Sequence, residues 1–119
     1  MPKLPPTSGP YSKAIAYKNL IFVSGQIPVD PDDGSIPEGI RAQTKQAMTN
    51  IKNILDVSGS SMGKVLKITV YLADMSLFDE MNDVYENFFD KPFPTRTCVG
   101  VSALPKGALI EIEAIAFTA

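Results

Sequence analysis

Glu111 and Glu113 stand two residues apart in Leu109-Ile110-Glu111-Ile112-Glu113-Ala114-Ile115. Arg96 and Cys98 likewise stand two apart in Pro94-Thr95-Arg96-Thr97-Cys98-Val99-Gly100-Val101. Both runs read as strands, over 95–101 and 109–117. Side chains two apart on a strand share a face and lie about 7 Å from each other. A charged group inside an apolar strand is costly unless it is paired, solvated in a cleft or used in chemistry. In the last strand Ile110, Ile112, Ala114 and Ala116 form one apolar face, while Glu111, Glu113, Ile115 and Phe117 point the other way. That second face is too apolar to be bathed in water, which implies cover by another copy of the chain.

The remaining elements follow from periodicity. Residues 14–17 and 20–25 flank Lys18-Asn19, a tight hairpin turn. Residues 26–37 hold three prolines, three aspartates and a glycine and read as a surface loop. From Glu38 to Ser58, Ile40, Thr44, Ala47, Met48, Ile51, Ile54 and Leu55 recur at helical spacing, and Gly59 is placed to cap the end. Residues 64–72 alternate as a strand, with Leu66, Ile68, Val70 and Leu72 on the apolar face. Ser76 and Asp79 form a capping signature for a second helix carrying Phe78, Met81, Tyr85, Phe88 and Phe89, stopped by Pro92 and Pro94. The order β-β-α-β-α-β-β predicts an α/β (α+β) sandwich: one domain over residues 1–119, with a mixed sheet and both helices on one face.

Composition narrows the chemistry. The chain of 119 residues contains no histidine, which removes imidazole acid–base groups, Ser-His-Asp and Cys-His dyads and most zinc sites. No metal or cofactor is expected, and no glycine-rich phosphate loop or dinucleotide fingerprint is present. A net charge of −2 with eleven scattered basic residues leaves no footprint for nucleic acid. The single cysteine cannot form an intrachain disulfide. Neither a secretory or transit pattern nor an apolar run of bilayer length is visible, so a cytoplasmic protein without membrane contact is expected.

If strands 95–101 and 109–117 are neighbours, Arg96 and Glu111 could line one cleft. Residue types alone favour a structural ion pair of Arg96 with Glu111 or Glu113. The other reading is a guanidinium kept for a small carboxylate, whose two oxygens its fork matches. Cys98 has no histidine partner as a nucleophile and fits a small buried side chain. Gly9-Pro10-Tyr11-Ser12 and Ser24-Gly25-Gln26 place hydroxyls beside glycines, as turn residues or as donors at a cleft rim. Asn82 lies one turn from Phe78 and Tyr85, and its amide needs a partner if it faces the core.

Three motifs together carry a resemblance. They are Gly9-Pro10-Tyr11-Ser12, Ser24-Gly25-Gln26-Ile27-Pro28, and Arg96-x-Cys98-Val99-x-Val101-x-x-Leu104-Pro105-x-Gly107 followed by Ile110-Glu111-Ile112-Glu113-Ala114. In this order the chain resembles the reactive-intermediate deaminase family (RidA, also called YjgF) from near residue 9 to residue 117. The resemblance implies a chorismate-mutase-like fold and a homotrimer whose sheets form a central barrel, with sites between subunits. It implies hydrolysis of 2-imino acids such as 2-iminopropanoate and 2-iminobutanoate, released by pyridoxal-phosphate dehydratases, to 2-oxo acids and ammonia. On that pattern Arg96 grips the substrate carboxylate and Glu111 positions or activates water. Cys98 stands at the site wall, and Tyr11, Ser24 and Asn82 line the pocket. Lys13 stands where glutamine is frequent and Thr97 where a smaller residue is usual; neither removes a catalytic group.

Three rivals share the fold. A non-catalytic, chaperone-like trimer would bind small carboxylates without turnover. An endoribonuclease acting on messenger RNA, and so a translation inhibitor, fits poorly with the acidic charge balance. A chorismate mutase uses the same trimeric architecture, but the motifs disfavour it.

Overall fold

The computed structural model describes residues 2–118. Five strands form one sheet: β1 (Ala14–Tyr17), β2 (Leu20–Gln26), β3 (Val65–Leu72), β4 (Thr95–Gly100) and β5 (Ile110–Phe117). Their spatial order is β1-β2-β5-β3-β4. β3 and β4 run parallel and every other neighbour pair is antiparallel. The sheet is therefore mixed, and its parallel pair needs a long crossover connection, which a helix supplies here. Helices α1 (Ile40–Val57) and α2 (Phe78–Tyr85) supply the crossovers. They cover the face that carries Ile68, Val70, Leu72, Ile110, Ile112, Ala114 and Ala116.

Local chemistry sets the element ends. Lys18 adopts a left-handed φ of 54° in the two-residue β1–β2 turn, where Tyr17 faces Leu20. α1 ends at Gly59 with φ 86°, and the Ser60 N–H returns to the Leu55 carbonyl (2.9 Å), closing the carbonyl end as a glycine there allows. The second helix starts differently from the Ser76–Asp79 expectation. Asp74 accepts from the Ser76 N–H (2.9 Å), capping a short 3-10 turn that leads into α2. Phe88 ends a 3-10 turn and Phe89 is extended, so α2 is shorter than its apolar spacing predicts.

One strand residue also departs from simple alternation. The register of β3 against β5 slips between Val65 and Lys67, a bulge that turns Leu66 outward (45% exposed) and puts Val65 in the core instead. The remaining alternation holds: Ile68, Val70 and Leu72 are fully buried. Ile112, also fully buried, sits at the centre of this layer. Ile112→Ala is expected to cost about 2–5 kcal/mol in urea unfolding, because the rigid sheet cannot close the cavity.

Two buried amides of α1 tie the loops around β5. Asn50 donates to the Val29 carbonyl (2.9 Å) and more weakly to that of Ile27 (3.3 Å), anchoring the loop after β2. Gln43 accepts from the Leu109 N–H (2.8 Å), fixing the chain one residue before β5 begins. Both loops border Glu111.

The second face of the sheet carries no helix. Ile15 (56% exposed), Tyr17 (62%), Phe22 (41%) and Val99 (40%) lie on it with Tyr71, Glu111 and Glu113. Apolar exposure on that scale across three strands is what a face covered by another molecule presents. Among the described residues no helix is long and apolar enough to cross a membrane.

Candidate active site

β4 is an edge strand, and its alternation turns Arg96 and Cys98 toward the helices. Arg96 stands opposite Ile68, and Cys98 opposite Val70. α2 crosses above them with Phe78, Asn82 and Tyr85 at i, i+4 and i+7, which is one stripe of a helix. Arg96 donates from Nη1 to Asn82 Oδ1 (2.7 Å). Its guanidinium carbon lies 4.8 Å from the Tyr85 ring centroid and 5.6 Å from that of Phe78. Cation–π contacts of this kind contribute about 0.5–2 kcal/mol each and hold the cation without neutralising it.

Arg96 has no carboxylate partner among the described residues; the ion pairs join Arg41 to Glu80 and Asp83, and Lys52 to Asp56. The structural ion pair favoured by residue types is therefore not the arrangement found. Beside Arg96 opens a pocket of 410 Å³ lined by Asn82, Tyr85, Glu86, Phe93 and Pro94. A guanidinium has five N–H donors, so one bond to Asn82 leaves capacity for a bidentate guest.

Tyr85 is nearly buried, and its hydroxyl has no hydrogen-bond partner among the described residues. Burial pushes that phenol up to about 12, opposed by the Arg96 charge, so Tyr85 is a neutral platform and not a proton carrier. Cys98 is half-buried. Burial raises its thiol, with Arg96 pulling the other way, so the sulfur stays protonated at neutral pH.

Glu111 lies elsewhere. It shares a hollow of 90 Å³ with Tyr11, Gly25, Gln26, Ile27, Pro105 and Lys106, among others. The register of β2 against β5 breaks between Val23 and Gln26, and this bulge brings Gly25 onto the Glu111 side chain. A Cβ at Gly25 would stand 2.9 Å from the Glu111 carboxyl carbon, so only glycine permits the approach. Ser24 donates its hydroxyl to the Ser12 carbonyl (2.6 Å), fixing the loop that carries Tyr11. Ser24 thus braces the rim, and its hydroxyl is already committed. Burial first, and the nearby Glu113 charge second, raise the Glu111 carboxyl above the ordinary range.

The six candidate residues thus form two groups in one chain. Arg96, Asn82 and Cys98 belong to the helix side of the sheet; Glu111, Tyr11 and Ser24 belong to the open side and its rim. The strands bearing Arg96 and Glu111 are not neighbours, because β3 lies between them. Arg96 is in line with Ile68 and Ala114, three residues from Glu111. Two strand spacings across and three residues along put the two Cα atoms about 14 Å apart, with side chains on opposite faces.

The sequence marked Tyr85 only through the apolar spacing of α2 and Gly25 only through its turn and motif, and it marked neither Phe93 nor Lys106 as a site residue. The i, i+3 spacing of Asn82 and Tyr85 was the available signal for Tyr85. Nothing local marks Phe93 or Lys106. Among the described residues no three His, Cys, Asp or Glu side chains come together as a metal-binding group.

Comparison with known proteins bears on the family and the fold. The family model described as Endoribonuclease L-PSP matches residues 1–118. A RutC family protein of Pyrococcus abyssi is 52% identical over 116 residues, covering 97% of this chain and 91% of the relative. The 2-iminobutanoate/2-iminopropanoate deaminase of Bos taurus is 46% identical over 115 residues, covering 96% and 84%. The crystal structure of Escherichia coli TdcF with bound serine superposes with a TM-score of 0.94 at 40% identity, covering 98% of this chain and 94% of that one.

Proposed function

This chain belongs to the Endoribonuclease L-PSP family, which includes the reactive-intermediate deaminases, and on that premise we propose that it hydrolyses small 2-imino acids to 2-oxo acids and ammonia. The observation that carries the reading is Arg96: a fixed guanidinium without a carboxylate partner, at a pocket of the size small ligands use. A relative of the same fold binds serine, a three-carbon acid comparable in size to 2-iminopropanoate.

Arg96 and Glu111 of one chain cannot hold the same three- or four-carbon acid from opposite faces. The working site therefore lies between copies, with the β4 edge of one chain meeting the Glu111 hollow of the next. The exposed Ile15, Tyr17, Phe22 and Val99 supply the apolar contact for such an assembly, and a closed homotrimer satisfies it with three equal sites.

In this mechanism Arg96 clamps the substrate carboxylate through two parallel N–H bonds. Glu111 orients water at C2 of the imine. The imine nitrogen enters protonated, and as the water oxygen bonds to C2 Glu111 takes a proton from the water while the C=N electron pair moves to nitrogen, leaving a neutral carbon that carries hydroxyl and amino groups. Glu111 then returns the proton to nitrogen, the C–N bond breaks with its pair leaving on ammonia, and the hydroxyl gives its proton to Glu111 as the C=O bond forms; ammonia carries that proton away as ammonium. A carboxyl raised by burial takes a proton from water more readily than an ordinary carboxylate does. Backbone groups beside Cys98 orient the imine. Tyr11 and Asn82 complete the lining, Asn82 by holding Arg96.

The substrate would come from pyridoxal-phosphate dehydratases in the cytoplasm, which release enamines that become imines. The ribonuclease in the family's name has little support here, since the chain is acidic and lacks histidine. Coupling the purified protein to threonine dehydratase is the direct test. Ammonia release should rise above the spontaneous rate in proportion to protein added, and an unchanged rate would remove the deaminase reading. Cys98→Ser should keep most of that activity, because a protonated thiol without a partner base contributes no nucleophile; near-total loss would restore the sulfur to the mechanism.

A further inference from the structure

Tyr71 stands in β3 between two neighbours on the open face, Val99 of β4 and Glu111 of β5. Its directly opposed partner on β5 is Glu111, yet its hydroxyl donates to Oε1 of Glu113, two residues further along. The ring thus leans diagonally across β5, a reach open to long aromatic side chains. Thr69, the residue directly opposite Glu113, leaves that carboxylate to Tyr71.

We propose that Tyr71 is a positioning residue for Glu111 that works through Glu113: its hydroxyl pins the Glu113 carboxylate on the strand face that carries Glu111, setting a second fixed negative charge beside the proton carrier. The role assigned to Glu111 rests on the deaminase reading. The coupling between the two carboxylates does not.

The physical consequence is a higher proton affinity at Glu111. Two carboxylates about 7 Å apart on one strand face resist simultaneous ionisation. A free Glu113 would relieve the repulsion by turning away from Glu111; the Tyr71 bond prevents this. Burial contributes most of the upward displacement of Glu111, and the Glu113 charge adds to it. Tyr71 itself is raised, first by its bond to Glu113, then by burial, and then by the charges of Glu113 and Glu111, so it remains a neutral donor.

The other groups around Glu111 can be named element by element. The amino-terminal loop contributes Tyr11, and the turn before β5 contributes Lys106. β2 contributes only the uncharged Gly25 and Gln26. On the far side of Glu113, Lys67 of β3 shares its shallow hollow with Thr69 and Tyr71. Of these, Glu113 is the charge that lifts Glu111.

The test is a carbon-13 titration of the side-chain carboxyls, with the Glu111 signal identified by its loss in Glu111→Gln. Glu113→Gln keeps an acceptor for Tyr71 and deletes the charge, so Glu111 should titrate at lower pH. Tyr71→Phe keeps the ring and frees Glu113, so Glu111 should move the same way by a smaller amount. In the double variant Tyr71→Phe should add no further shift, since it acts only through the charge already removed. The limb of the hydrolysis pH profile that follows Glu111 should shift in parallel. An unmoved Glu111 titration in Glu113→Gln overturns the proposal. So does a Tyr71→Phe shift that persists at full size in the Glu113→Gln background. A titration shift in a protein that turns over no imine supports the coupling and removes the deaminase reading instead.

Discussion

Arg96→Ala is expected to abolish imine hydrolysis while leaving the fold intact. Removing one partner of a desolvated, hydrogen-bonded charge pair costs about 2–5 kcal/mol or more, so kcat/KM should fall by about thirtyfold to several thousandfold or more. Arg96 lies on an edge strand, is only partly buried and has no carboxylate partner among the described residues, so no buried ion pair is left broken by its loss. Asn82 Oδ1 loses a donor but borders the open pocket, where water can replace it. Circular dichroism and the urea midpoint should therefore stay near the parent values. Arg96→Lys should recover only part of the activity, because an ammonium keeps the charge and loses the planar fork. A variant that still accelerates ammonia release at the parent rate would remove Arg96 from the site.

A second result with a large effect comes from mixing two inactive proteins. Glu111→Gln should lose about 10²- to 10⁴-fold in rate, the usual worth of a positioned acid–base group. Arg96→Ala and Glu111→Gln should each be inactive alone. If the site joins Arg96 of one copy to Glu111 of the next, co-refolding the two at equal amounts restores about a quarter of the sites in a randomly assembled ring. The activity of the mixture should rise accordingly, whereas separately refolded samples combined afterwards should regain less, limited by subunit exchange. No recovery after co-refolding would mean that both groups must come from one chain. The distance between them across the sheet would then exclude the proposed chemistry.

Much of this arrangement was legible because it is local. Alternation in Ile110–Phe117 separated the buried Ile110, Ile112, Ala114 and Ala116 from Glu111 and Glu113, and the structure keeps that division. Helical spacing identified the core face of α1, and the glycine at 59 marked its end. The failures were also local in origin. A bulge of one residue reverses every side-chain direction beyond it, and the pattern around Leu66 does not announce one. Ser76 looked like a cap, but Asp74, two residues earlier, offered the better-placed acceptor.

The site was legible as a set of residue types and illegible as a place. Arg96 and Cys98, or Glu111 and Glu113, can be assigned to common faces from spacing alone, since a strand repeats every two residues. Gly25 could be quoted as part of a motif, yet the reason for a glycine there, the carboxylate of Glu111 lying against it, needs the β2 bulge. Asn82 and Tyr85 could be put on one stripe of a helix, but their grip on Arg96 depends on how α2 crosses β4.

Strand and helix periods, the absence of histidine and the three motifs were thus available from the order of residues, because each is a property of neighbours in the chain. The position of β3 between β4 and β5 was not. Strand order depends on how two crossovers pack over a shared core, a long-range choice that alternation leaves open. That choice sets β3 between the two residues, and the pleat turns them to opposite faces, so the proposed chemistry needs a second copy of the chain to join them.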